Sequence, residues 1–169
     1  MVEEKFLVDA NSLITPYRLY YAFDLVPSFW DRLSENIGKI VLLDMVKSEI
    51  DKGNDDLTVW VNSLKGFEIC YHLSQEIVDK WQEVIQYVQT CGLYNENALH
   101  SWAQINVADP WLIAAAAVYG YTIITLEGSA GRLSPMNKSG KVKIPDVARA
   151  FGVKTNNIFY MMRQLGIKI

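Results

Sequence analysis

Short apolar runs recur along this chain with helical patterns between them, and that alternation restricts the fold more than any single residue does. Phe6-Leu7-Val8, Ile40-Val41-Leu42-Leu43, Phe67-Glu68-Ile69-Cys70 and Thr122-Ile123-Ile124-Thr125-Leu126 read as strands. The first, second and fourth suit burial on both faces of a parallel sheet. Strands that alternate with helices predict an α/β sandwich with a mostly parallel central sheet.

The helices are read from caps, breakers and period. Thr15-Pro16 reads as an N-cap followed by proline at the first helical position, with Tyr17, Tyr20, Tyr21 and Asp24 on one face. Pro27 ends that helix and opens another to Glu35. Asp44 caps a helix from Met45 to Lys52 that carries Glu49 and stops at Gly53, and Asp55 or Asp56 opens a short one through Leu64. Ser74 to Thr90 is amphipathic, with Ile77, Trp81, Val84, Ile85 and Val88 on its apolar stripe. Glu96 to Ile105 is helical as well. Asp109 takes the N-cap position and Pro110 the first position of an alanine-rich helix that stops at Gly120. Lys141-Val142-Lys143-Ile144-Pro145 reads as β-like and Asp146 to Phe151 as a helix. Asn156 or Asn157 then caps a last helix to Leu165.

The chain has 169 residues, enough for one domain spanning 1–169, with a core at 6–127 and a basic extension at 128–169. Half the residues are hydrophobic and 21% are charged, which excludes a disordered chain. The longest apolar stretch, Trp111 to Val118, is too short to cross a bilayer, so no membrane is expected. The acidic start, Met1-Val2-Glu3-Glu4-Lys5, is unlike a targeting peptide. Cys70 and Cys91 are two unpatterned cysteines, which fits free thiols in a reducing, cytoplasmic setting. With His72 and His100 they make no zinc spacing. The net charge of −3 conceals an asymmetry. Residues 1–127 hold eight Lys/Arg against eighteen Asp/Glu, a balance of −10, and residues 128–169 hold eight against one, a balance of +7. Such a basic segment is either a polyanion or partner surface or a solvated face.

Asp9 stands where the first strand emerges at its carboxyl end, the place where open α/β sheets bind ligands. It equally suits an Asx turn or a helix cap. What favours a site is recurrence, since Glu49, Asp109 and Glu127 are further carboxylates, most of them at strand ends or helix starts. Two carboxylates 4 Å apart repel by about 1 kcal/mol in water and about 4 kcal/mol at an effective dielectric of 20. A site that gathers several therefore expects a hard divalent cation, Mg²⁺ or Mn²⁺. Arg18, set among tyrosines, is a candidate nucleic-acid contact, although most of those aromatics suit a core.

Four segments in this order resemble the PIN-domain nucleases. They are Phe6-Leu7-Val8-Asp9-Ala10-Asn11-Ser12-Leu13-Ile14, Val46-Lys47-Ser48-Glu49-Ile50, Ala108-Asp109-Pro110-Trp111-Leu112-Ile113-Ala114-Ala115-Ala116 and Ile123-Ile124-Thr125-Leu126-Glu127. The resemblance implies a PIN-like α/β/α sandwich and a metal-dependent endoribonuclease, often the toxin of a toxin–antitoxin pair. Its acidic residues fall on Asp9, Glu49 and Asp109. A fourth is usually aspartate and here is Glu127, a departure that leaves open whether it binds metal directly. Ser12 matches a hydroxyl position that would place a water or a phosphate. RNA would be held by basic residues of the segment after Glu127, with Lys138, Lys141 and Lys143 at the rim of the site. The expected partners are RNA, a protein antitoxin and a homo-oligomeric copy. Two rivals stand beside this reading. One is a PIN-like module that binds RNA or a partner without cutting. The other is a phosphatase-type domain, which wants a second aspartate where this chain has Asn11.

Overall fold

The structure is a computed structural model that describes residues 2–169. The strands are β1 (Phe6–Val8), β2 (Ile40–Leu43), β3 (Glu68–Cys70), β4 (Thr122–Ile124) and β5 (Thr155–Asn156). They form one all-parallel sheet in the order β3-β2-β1-β4-β5. Phe6 lies opposite Ile40, and Leu42 opposite Ile69. The strands β1, β2 and β4 are fully buried, as strands covered on both faces must be. From β1 the order runs to β2 and β3 on one side and to β4 and β5 on the other. The chain therefore reverses its winding between β1 and β4, and their carboxyl ends flank the switch point.

The helices are α1 (Asn11–Thr15), α2 (Pro27–Glu35), α3 (Asp44–Gly53), α4 (Asp56–Ser63), α5 (Gln75–Thr90), α6 (Glu96–Trp102), α7 (Ala108–Tyr119), α8 (Ile144–Ala150) and α9 (Ile158–Gln164). Among the described residues none is long and apolar enough to cross a membrane. Several ends follow their sequence signals. Asp55 caps α4 through a reciprocal pair with Thr58, Asn157 accepts from the Tyr160 N–H at 3.0 Å, and Gly120 closes α7 at φ +74°.

Three expectations are corrected. The first helix starts at Asn11, and Pro16 falls inside it, where it has no N–H to offer Ser12. The helix widens there into a π turn, Pro16–Tyr20, closed by the Tyr21 N–H on the Pro16 carbonyl at 2.6 Å. Asp109 lies in the first turn of α7, after Val107 as N-cap. Pro110 is tolerated there because N–H groups of a first turn have no helical acceptor. Residues 141–143 form no strand, and α8 begins at Ile144 with Pro145 next. The edge strand β5 has no counterpart in the sequence reading, because two polar residues carry no periodic signal.

The chain divides into two compact units, each discontinuous in sequence. The first comprises the segment through Tyr71, Ile124–Leu126 and Asn156–Ile169. Its core joins Phe6, Leu7 and Val8 to Leu13, Trp30, Val46 and Ile50, and Tyr160 meets Phe6 edge-on at 6.4 Å. The second comprises His72–Ile123 and Glu127–Thr155. There α5 packs on α7, with Trp81 stacked on Trp111 at 4.7 Å and the small residues Ala114, Ala115 and Ala116 permitting close approach.

Cys70, at the end of β3, is buried, and that burial, reinforced by Asp44 and Glu68, pushes its thiol from about 9 up to about 11. An unfolded chain releases this proton at lower pH than the folded one. Stability is therefore unaffected below about pH 9 and declines as pH rises toward 11. Urea unfolding across that window should show the decline, and it should be shallower in Cys70→Ser.

Candidate active site

The carboxyl ends of β1 and β4 are laced together by four residues of the first unit. The Asp9 N–H donates to the Ile124 carbonyl at 2.9 Å, and the Ser12 hydroxyl donates to the same carbonyl at 3.1 Å. The Thr125 hydroxyl donates to Asp9 Oδ2 at 3.1 Å, and the Ser12 N–H closes the turn on the Asp9 carbonyl at 2.9 Å. Asp9 is half-buried, whereas Ser12 and Thr125 are buried. The carboxylate is thus held at the switch point by a donor from the neighbouring strand.

Ser12 is part of this lacing. Expected to place a water or a phosphate, it is fully buried and its hydroxyl fastens the turn to β4. Thr125, which the sequence does not mark as a site residue, is the side chain that holds the Asp9 carboxylate.

Glu49 lies on the second turn of α3 in the first unit and is exposed. Its neighbour Asp51 is structural: the Lys47 ammonium at 2.6 Å, with help from Asn62, holds its carboxyl below the usual range. Asp109 is half-buried in the second unit, where the first turn of α7 favours negative charge.

Glu127 also belongs to the second unit. One carboxylate oxygen meets Lys143 Nζ at 3.0 Å and the other accepts the Ile144 N–H at 2.9 Å. Asp146 makes the reverse clasp, accepting from the Ser129 hydroxyl and from the Ala130 N–H at 2.9 Å. Midway, the Ser139 backbone bonds to Leu93 and Asn95 at 2.9 and 3.0 Å. Residues 128–143 are therefore a tethered loop, with Arg132, Lys138 and Lys141 exposed on it. Lys143, expected as a phosphate contact, belongs to the clasp. Lys143→Met should accelerate tryptic cleavage after Arg132, Lys138 and Lys141 severalfold. Glu127→Gln should act more weakly, because the amide oxygen still accepts from Ile144. Unchanged cleavage rates would show that other contacts hold the loop.

Arg18, on the π turn, is exposed and stands 3.9 Å from Asp55. No group of three His, Cys, Asp or Glu side chains that could hold a metal ion occurs among the described residues. The described residues therefore form no all-protein cage. Mg²⁺ commonly binds through one or two carboxylates, waters and substrate phosphates, and a positioned hard oxygen donor such as Asp9 fits that mode.

The family model for DUF4411, a domain of unknown function, matches residues 6–169. The chain belongs to this family. The match runs through the basic segment to the last residue, so in DUF4411 that segment is part of the family's own span. Comparison with curated proteins gives no match. Among solved structures, one similar chain comes from the crystal structure of VapBC2 from Rickettsia felis bound to a DNA fragment from their promoter. It has a TM-score of 0.55 at 14% identity, over 90% of this chain and 97% of that one. Another is from DNA-bound VapBC of Salmonella typhimurium, with a TM-score of 0.53 at 12% identity, over 92% and 98%. At such identities the likeness concerns the fold. That fold is the PIN-like α/β/α arrangement, as the sequence resemblance implied.

Proposed function

We propose that this DUF4411 chain is a metal-dependent endoribonuclease and the toxin of a toxin–antitoxin pair. The observation that carries the reading is Asp9, fixed by Thr125 at the switch point of a PIN-like sheet. Ligands in open α/β folds bind outside the carboxyl ends of strands at such points. Asp9, Glu49 and Asp109 are the acidic residues assigned to the reaction. Glu127 is assigned a lesser part, because Lys143 and Ile144 engage both its oxygens.

Asp9 would hold Mg²⁺ or Mn²⁺ together with solvent and a substrate phosphate. When bound, the ion would supply Lewis acidity toward the phosphodiester and a water. The chain's own part is to fix the Asp9 carboxylate by its Thr125 bond and to attract the polyanion. Acidic groups repel RNA, so Lys138 and Lys141 are assigned to phosphate contact, each adding about −0.7 to the salt slope for single strands. In-line displacement by water would leave a 5′-phosphate and a 3′-hydroxyl, as the family resemblance implies. The antitoxin is proposed as a protein partner. The two similar solved chains belong to VapBC complexes bound to DNA.

A second reading, a PIN-like module that binds RNA without cutting it, is favoured by the absence of a three-acid group among the described residues. End-labelled structured and unstructured RNAs, incubated with Mg²⁺ or Mn²⁺ and then with EDTA, separate the two. Cleavage abolished by EDTA supports the nuclease. Retention of RNA without metal-dependent cleavage supports the binding module, and neither result would overturn both.

A further inference from the structure

A cavity of about 470 Å³ in the first unit is lined by Tyr17, Arg18, Phe23, Asp24, Asp55 and Asp56, with Ala22. Three carboxylates there face one guanidinium. Arg18 balances them poorly: its 60% exposed side chain stands 3.9 Å from Asp55, where an ion pair contributes little. The surroundings are apolar and open to solvent. Leu19 and Tyr20 on the π turn and Leu25 beyond it are strongly exposed, Leu25 at 76%. Val59, on the same face of α4 as Asp56, is exposed as well. Exposed apolar side chains next in sequence to a charged cavity favour a docking surface.

The chemistry such a surface selects is a basic segment with an apolar side chain between its charges. The chain itself carries one. On the tethered loop, Met136 is 98% exposed and lies between Arg132 and Lys138, both exposed. The two carboxylate clasps hold the loop in shape, which lowers the ordering cost of binding. We propose that the 131–138 loop of a second copy of this chain docks on the acidic cavity of the first, with Met136 against the apolar rim and Arg132 and Lys138 toward Asp24 and Asp56.

The inference is independent of the nuclease reading, and its test uses neither RNA nor metal. Sedimentation velocity of the full chain should show self-association at about 50 mM salt that weakens about tenfold or more at about 500 mM, as the charges are screened. Charge reversal at exposed positions supplies the specific arm, read by association alone because Lys138 is also assigned to phosphate contact. Asp24→Lys with Asp56→Lys, and separately Arg132→Glu with Lys138→Glu, should each sediment as a monomer, because like charges then face each other. Mixing the two variants should restore a one-to-one complex. Wild type monomeric at low salt, or a mixture that stays monomeric while each variant keeps its native circular dichroism, would overturn the proposal. So would either variant associating as wild type does.

Discussion

Asp9→Asn is expected to lower RNA cleavage by about a thousandfold, a loss of about 4 kcal/mol in transition-state stabilisation. The substitution removes the charge on which cation binding depends. It keeps the shape, and the new amide oxygen can still accept the Thr125 hydroxyl now 3.1 Å from Asp9. Thermal unfolding should therefore change little, which separates a chemical loss from a folding one. Asp109→Asn should follow Asp9→Asn. Glu127→Gln should be much milder, because Glu127 is bound to Lys143 and Ile144. Equal losses from all three would make Glu127 a full participant. Full activity in Asp9→Asn would sink the catalytic assignment.

The largest structural loss is expected from Trp30→Ala, about 3–5 kcal/mol in urea unfolding. Trp30 on α2 is 1% exposed and sits at the centre of an aromatic chain. Phe23 stacks on it at 4.4 Å, and Phe29 and Trp60 meet it edge-on, both at 4.9 Å. Its indole N–H donates to the Tyr21 carbonyl at 2.6 Å, just after the π turn. One side chain thus fixes α2, α4 and the segment that shapes the acidic cavity. Trp30→Phe keeps most of the packing but leaves the Tyr21 carbonyl without this donor. It should cost less than alanine and should still loosen residues 17–25 in hydrogen exchange. Equal stability of Trp30→Ala and wild type would show that the site repacks.

The candidate site was legible in part. Asp9 was visible because it ends a continuous apolar run, and the order of apolar runs and helices announced a parallel sheet. The residues around it were harder. Ser12 reads from sequence as a free hydroxyl, and only its bond to Ile124, 112 residues away, shows a fastener. Thr125 reads as one more β-branched strand residue until its hydroxyl is seen on Asp9. Glu127 carries the right charge beside the right strand, yet Lys143 and Ile144 claim it from the next helix.

By itself the sequence determined what depends on short windows: the strands β1 to β4, the bounds of α2, the amphipathic face of α5 and the stop at Gly120. These follow from backbone propensity, capping and apolar periodicity, which act over a few residues. It also determined the charge asymmetry, which is only a count. The tertiary structure decided the strand order and hence the switch point, the pairing of β5, the widening of the helix at Pro16 and the partners of every candidate carboxylate. Those outcomes turn on which distant groups satisfy a buried donor or acceptor, and a polar side chain carries no sign in the sequence of the partner that folding will bring to it.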